Sequence, residues 1–94
     1  MLHDTLSRNI IDNYGDRPQS RAIAEVVAEV NQLCRRAAAI VLGASDVDEP
    51  QPEVDGLRKQ AIGTLWGAGI HYLHAEVWVD ETISDATFDL MPFP

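Results

Sequence analysis

Apolar side chains recur at steps of three and four residues at the beginning of the chain, a spacing that indicates one face of an amphipathic helix. The positions that follow this spacing are Leu2, Leu6, Ile10, Ile11 and Tyr14. Asp4 can cap such a helix, and Gly15 can end it in a left-handed turn. The pattern therefore predicts a first helix over about residues 4–14.

A longer amphipathic pattern begins at Asp16-Arg17-Pro18-Gln19, which resembles a capping box with proline in a tolerated first-turn position. Its apolar face comprises Ile23, Val26, Val27, Val30, Leu33, Cys34, Ala37 and Val41. The opposite side carries Glu25 and Glu29, and Gly43 marks the end. We predict a second helix over about residues 17–42. The residues expected in the core are Val27, Val30, Leu33 and, from the next segment, Leu65.

The residues from Pro52 onwards are compatible with two structures. Their apolar spacing predicts a third helix over about residues 53–79, although each of its glycines costs about 1 kcal/mol in a helix interior. These glycines are Gly56, Gly63, Gly67 and Gly69. In the alternative, the chain turns at Gly67-Ala68-Gly69, and residues 70–79 form a strand that pairs with residues 87–91. An isolated hairpin is barely stable, which favours the long helix.

The last residues, 80–94, mix acidic and scattered apolar side chains and predict an irregular acidic tail. Together the segments predict one all-α domain over residues 1–94, in which three helices surround a single core. The alternative fold class is α+β, with a C-terminal hairpin from about residue 70.

Length and cysteine content narrow the class of protein. A chain of 94 residues with a single cysteine forms no internal disulfide, and a domain of this size is marginally stable alone. Its longest apolar run, residues 37–42, is far shorter than the roughly 20 residues of a membrane span. The N-terminus also lacks the pattern of a signal peptide. We therefore expect a cytoplasmic protein that associates with itself or with a partner.

Charge is distributed unevenly along the chain. Residues 1–43 hold five acids and five arginines, whereas residues 44–94 hold ten acids against Arg58 and Lys59 and carry the whole net charge of -8. Nucleic acids and anionic membranes are bound through a positive face, so direct binding to either is not expected. The complement of this half of the chain is a basic protein.

Candidate catalytic and metal-binding groups are few. His71 and His74 lie three residues apart and could supply two metal ligands from one helix face, but no third ligand has a recognisable spacing. Whether they bind a metal stays open. Cys34 precedes two arginines that would favour a reactive thiolate, yet its place on the apolar face predicts a buried thiol.

Paired carboxylates are a further possibility, because helical phosphohydrolases hold magnesium between two acidic pairs. Glu25 and Glu29 would need a facing pair, for which Glu53 and Asp55 are the candidates. No catalytic residue, cofactor site or metal site is predicted.

The leading hypothesis is a small acidic, non-enzymatic interaction protein that binds a basic partner protein through its C-terminal half. The alternatives are a nucleic-acid-mimicking inhibitor of a DNA- or RNA-binding protein, and a helical metal-dependent phosphohydrolase-like enzyme or metal-binding bundle. The residues expected to bind the partner are Asp46, Asp48, Glu49, Asp80, Glu81, Asp85, Phe88, Met91 and Phe93. A homodimer is also expected, with Trp66, Tyr72 and Trp78 at its interface, since aromatic residues are enriched there.

Overall fold

The computed structural model of the protein describes residues 5–15, 23–43 and 51–91. These residues form four helices and no strand: α1 (Thr5–Tyr14), α2 (Ile23–Gly43), α3 (Pro52–Gly67) and α4 (Tyr72–Leu90). The all-α fold class is confirmed. The number of helices exceeds the predicted three because residues 53–79 are divided between α3 and α4.

The first two helices follow the apolar pattern. α1 ends as expected at Gly15, which has a φ of 64° and donates its N–H to the Ile11 carbonyl oxygen at 2.8 Å. α2 ends at Gly43, one residue beyond the predicted end. The predicted capping box before α2 lies outside the described residues.

The division between α3 and α4 is made by a turn at Gly69, which has a φ of 103°. Ile70 N–H donates to the Leu65 carbonyl oxygen, and Gly69 N–H donates to that of Trp66, both at 3.0 Å. These two bonds define a Schellman motif, and its usual apolar contact partners, Leu65 and Ile70, are both buried. The turn at residues 67–69 that the hairpin alternative required is therefore present, and the continuous helix over residues 53–79 is wrong.

The segment after this turn is nevertheless a helix and not the strand of the hairpin alternative. A strand would have placed Leu73, Ala75, Val77 and Val79 on one face. In α4, Ala75 and Val79 are buried whereas Leu73 and Val77 are exposed, because the buried positions follow helical spacing. That spacing runs through Ala75, Trp78, Val79 and Ala86.

The predicted irregular tail is also corrected, because residues 80–90 continue α4. Ile83 and Ala86 extend the inward apolar row by two more turns, and no glycine or proline interrupts the segment before Pro92. Of the apolar residues scattered among the acids of this segment, Ile83 and Ala86 are thus inner positions of the helix, whereas Phe88 and Met91 are exposed.

The core forms around α2, which packs against each of the other three helices, while α1 and α3 share no packing contact. Val27, Val30 and Leu65 are buried as predicted, whereas Leu33 is partly buried at the edge of the core. Gly56 and Gly63 lie within α3, and nothing stands within 4 Å of where their Cβ atoms would be. Their cost to the helix is offset by burial of the opposite side, where Leu57, Ala61, Ile62 and Leu65 pack inward.

The packing of α2 predicts a large effect for Val30→Ala. Val30 is 0% exposed, so the substitution should lower the free energy of unfolding by about 1–3 kcal/mol through lost burial and an unfilled cavity. The matched control is Val77→Ala in α4, where valine is 55% exposed and the change should stay within about 0.5 kcal/mol. Urea unfolding of both variants measures the difference, and equal effects would contradict the assigned core.

Candidate protein-interaction surface

The exposed side of α4 combines apolar and acidic side chains. We call it the α4 outer face; it consists of Leu73, Val77, Asp80, Glu81, Ser84, Phe88 and Met91, all exposed. These positions recur at steps of three and four and therefore lie along one side of the helix. Leu73 and Phe88 are 64% and 67% exposed, so large apolar side chains stand in water near both ends of the face. Single exposed apolar residues are ordinary, whereas several along one side make this face the candidate contact surface.

Carboxylates dominate the charge of α4. The helix contains Glu76, Asp80, Glu81, Asp85 and Asp89, and it has no lysine or arginine. Its last turn also lacks basic residues, so Asp85 and Asp89 add to the negative end of the helix dipole without compensation from the helix itself. The C-terminal half of α4 is consequently the most electronegative part of the described helices.

One carboxylate of this set is engaged within the chain. Arg58 of α3 donates from Nε to Asp80 Oδ1 at 2.6 Å and from a terminal nitrogen to Oδ2 at 3.2 Å. The Asp80 hydrogen bond also raises the pKa of Arg58. This bidentate pair joins α3 to α4 and offsets the charge of Asp80. Among the described residues, Glu81, Asp85 and Asp89 form no ion pair.

A groove lies beside the C-terminal half of α4. Asp85, Phe88 and Asp89 form one wall, and Leu6 of α1 and Arg35 of α2 belong to the other. The structure thus brings two predicted partner-binding residues, Asp85 and Phe88, to one concave site. Asp80 and Glu81 lie about one to two turns nearer the N-terminus of α4.

The remaining predicted partner-binding residues fall into two groups. Met91 is exposed directly after the last residue of α4 and continues its outer face. Asp46, Asp48, Glu49 and Phe93 lie outside the described residues. The described members of the set therefore lie on α4 or directly after its last residue.

The aromatic residues expected at a dimer interface differ in exposure. Trp66 is 63% exposed near the end of α3, and Tyr72 is exposed in the first turn of α4. Trp78 is only 7% exposed and packs in the core of the chain itself, so its assignment to a dimer interface is corrected. The physical reason is helical spacing, because Trp78 lies one turn from Ala75 on the inner side of α4.

The first turn of α4 is joined to the end of α1 by Tyr14. The Tyr14 hydroxyl oxygen accepts a hydrogen bond from His71 N–H at 2.8 Å and lies 2.8 Å from His74 Nδ1. The hydroxyl hydrogen is thus available to His74. His74 stacks on Trp78 with ring centroids 4.8 Å apart, and Tyr14 meets both rings edge-on. These four residues anchor α1 to α4.

The same contacts give the two histidines structural positions. His71 is the N-cap of α4, where its Nδ1 accepts a hydrogen bond from Leu73 N–H at 3.2 Å. His74 Nδ1 faces the Tyr14 hydroxyl. In both rings the Nδ1 atom is therefore engaged in a protein hydrogen bond. No group of three or more histidine, cysteine, aspartate or glutamate residues within the described chain is placed to hold a metal ion.

The two acidic pairs considered for a magnesium site are separated along the helices. Glu29 of α2 accepts a hydrogen bond from the Thr64 hydroxyl at 2.7 Å, which places it opposite the C-terminal end of α3. Glu53 and Asp55 lie in the first turn of α3. At 1.5 Å per residue, they are roughly 14–17 Å along the helix from Thr64. The arrangement does not bring the pairs face to face.

Cys34 occupies the interior, as its place in the apolar pattern predicts. It is buried, and its Sγ lies 3.9 Å from the Val79 carbonyl oxygen. Burial, with a smaller contribution from the charge of Asp80, raises the pKa of the Cys34 thiol to about 12. The neighbouring Arg35 and Arg36 are exposed and do not reverse this effect. The thiol is therefore a poor nucleophile in the folded protein.

Several residues of the surface were missed from the sequence. Leu73, Val77 and Asp89 become part of the exposed and acidic side of α4 only when residues 72–90 are read as one helix. Counting back from Phe88 in steps of three and four reaches Ser84, Val77 and Leu73, a spacing that the predicted boundary at residue 79, between the third helix and the irregular tail, interrupts.

The chain matches no protein-family model, and neither a curated protein nor a solved structure shows significant similarity to it. Among the described residues, no helix has both the length and the apolar character needed to cross a membrane.

The contact between α1 and α4 predicts a measurable loss for Tyr14→Phe. Removing the hydroxyl leaves His71 N–H and His74 Nδ1 without this partner and should lower the free energy of unfolding by about 0.5–1.5 kcal/mol. Tyr72→Phe is the matched control, since the described residues provide no hydrogen bond to that hydroxyl. Chemical denaturation measures both, and an unaffected Tyr14→Phe variant would show that the contact adds nothing to stability.

The buried thiol predicts a specific dependence of stability on pH. Above pH 9 the unfolded chain loses the Cys34 proton, whereas the folded chain keeps it until about pH 12. The stabilising contribution is therefore complete below pH 9 and is lost as the pH rises to 12, on the order of a few kcal/mol. Urea unfolding of the wild type and Cys34→Ala across this range isolates the effect, and parallel curves would contradict it.

Proposed function

We propose that the protein is a non-enzymatic interaction module that binds a basic protein partner through the acidic outer side of α4. The observation that carries this proposal is the combination, on one helix, of exposed apolar side chains and five acids with no lysine or arginine. Carboxylates attract a basic partner over a long range, and apolar side chains hold it once in contact.

The exposed apolar residues favour this function over mimicry of nucleic acid. A phosphate backbone presents a continuous row of charge, whereas Val77 and Phe88 interrupt the row of carboxylates on α4. These exposed apolar side chains favour a protein partner that buries apolar surface on binding. The separated acidic pairs and the engaged histidines support no catalytic role.

Site-specific photocrosslinking in the native host tests the proposal. A photoreactive benzoylphenylalanine replaces Ser84 in the middle of the α4 outer face, and a matched probe replaces Ala39, which is exposed on α2. The Ser84 probe should capture a protein with a basic contact segment, and the Ala39 probe should not. Equal capture at both positions would contradict recognition by α4.

Charge variants distinguish specific recognition by α4 from nonspecific binding that depends only on net charge. The triple variant Glu81→Gln, Asp85→Asn, Asp89→Asn should lose the crosslink at Ser84. The control Asp12→Asn, Glu53→Gln, Asp55→Asn changes the net charge equally at exposed positions on α1 and α3 and should retain it. Retention of the crosslink in the first variant would mean that the acids serve another purpose.

Binding kinetics with the captured partner should separate the two kinds of contact. The α4 triple variant should associate about tenfold more slowly and with a weaker salt dependence, because exposed charges act at long range. Phe88→Ala should chiefly speed dissociation, because a buried aromatic contact holds the complex together. Surface plasmon resonance over a range of salt concentrations measures both rates, and unchanged association of the triple variant would refute the steering role.

We also propose that the protein forms a homodimer through the exposed aromatic residues near the α3–α4 turn. Trp66 and Tyr72 lie on either side of that turn, and a small domain gains stability by covering such side chains. Sedimentation at micromolar concentration should give the dimer mass for the wild type and the monomer mass for Trp66→Ser. A wild type that sediments as a monomer would rule the dimer out.

A further inference from the structure

We infer that the element bound by the α4 outer face is a basic amphipathic α-helix of roughly 18 residues, laid lengthwise along α4. This inference rests on the proposed function and specifies the partner. The apolar side chains of the partner helix would contact Leu73 and Val77 at one end of α4 and Phe88 and Met91 at the other. The basic side chains of the partner would face the α4 carboxylates that lie between and beside these apolar residues.

The length follows from the spacing of the apolar contacts. Leu73 and Met91 are 18 positions apart in the sequence, which corresponds to about 27 Å along a helix. Both lie on the same side of α4, since 18 residues complete five helical turns. A partner that reaches both ends must therefore extend along most of α4.

The periodicity of the face favours a helical partner over an extended one. Leu73, Val77, Asp80 and Ser84 are separated by four, three and four residues. Steps of four and three are those of a coiled-coil seam, but Asp80 and Ser84 are polar where a seam is apolar, so the apolar contacts for a second helix are the two end pairs, Leu73 with Val77 and Phe88 with Met91. The backbone of α4 is hydrogen-bonded within the helix, so it offers no free edge to which an extended strand could pair.

Charge determines the polar side of the partner. The middle of the face has Asp80 and Glu81, and Asp85 and Asp89 line the groove beside Phe88. Arg58 offsets Asp80, whereas Glu81, Asp85 and Asp89 form no ion pair with a described residue, although Arg35 of α2 lines the same groove as Asp85 and Asp89. Lysine or arginine residues should therefore be concentrated where the partner helix meets the C-terminal half of α4.

The same charges exclude a second copy of α4 as the occupant. α4 has five acids and no lysine or arginine, so pairing two such faces in either orientation would bring carboxylates together. A homodimer would have to use another surface, such as the one with Trp66. A helix from a different, basic protein fits the face in both its apolar and its charged positions.

Two synthetic peptides of equal composition test this inference. The first is an 18-residue peptide of leucine and lysine whose leucines form one helical face. The second contains the same residues in a shuffled order without an apolar face. Fluorescence anisotropy with the wild-type protein should show at least about tenfold tighter binding of the amphipathic peptide. Its helical circular dichroism should increase on binding.

Variants of the face locate the contact. Val77→Ser combined with Phe88→Ser should weaken binding of the amphipathic peptide by roughly tenfold, because both side chains are exposed contact residues. Leu42→Ser in α2 is the control, since Leu42 is also an exposed apolar residue but belongs to another helix. Amide shifts of the wild-type protein provide a readout that needs no substitution, and the peptide should perturb α4 most strongly.

The outcomes separate this inference from the proposed function. If both peptides bind equally and the α4 triple charge variant weakens both, acidic recognition stands and the helical partner is refuted. If neither peptide binds, the helical partner is refuted, and the crosslink at Ser84 decides separately whether α4 binds a protein. Amide shifts confined to another surface would also overturn the inference.

Discussion

The turn from Leu65 to Ile70 is the constraint on which the arrangement of the C-terminal half depends. Gly69 adopts a left-handed backbone conformation that other residues rarely accept, and two backbone hydrogen bonds close the turn around it. Burial of Leu65 and Ile70 ties the turn to the core. The chain reverses direction at this turn, so α4 begins as a new helix. The position at which α3 ends therefore determines which side of α4 faces the core.

The residues of α4 form two rows, one facing the core and one facing solvent. The inward row, which includes Ala75, Trp78 and Val79, completes the core around α2. The outward row keeps large apolar side chains exposed, among them Leu73 and Phe88. Arg58 and Tyr14 reach α4 from α3 and α1, at Asp80 and at the first turn respectively, and so hold the helix on both flanks. The outer face is thereby presented on a helix anchored by packing and hydrogen bonds.

The electrostatics of this helix are unusual in one respect. Acids near a helix C-terminus interact unfavourably with the helix dipole, and a basic residue in the last turn normally compensates. α4 has Asp85 and Asp89 near its end and no such residue. The resulting cost to the helix is a fraction of a kcal/mol per residue, which packing of the inner row offsets. A basic partner would remove that cost, which connects the charge of α4 to the proposed binding.

The sequence by itself determined the helical character of α1 and α2, the burial of Val27, Val30, Leu65 and Cys34, and the concentration of acid in the second half. These follow from local spacing and composition, which act along the chain. Tertiary structure decided where α3 ends, that residues 80–90 are helical, and which side of α4 faces water. It also moved Trp78 into the core and joined Tyr14 to His71 and His74. The local pattern of residues 70–79 fits a strand and a helix almost equally. Packing against α2 decides between them, because the residues that are buried there recur at helical spacing rather than at every second position.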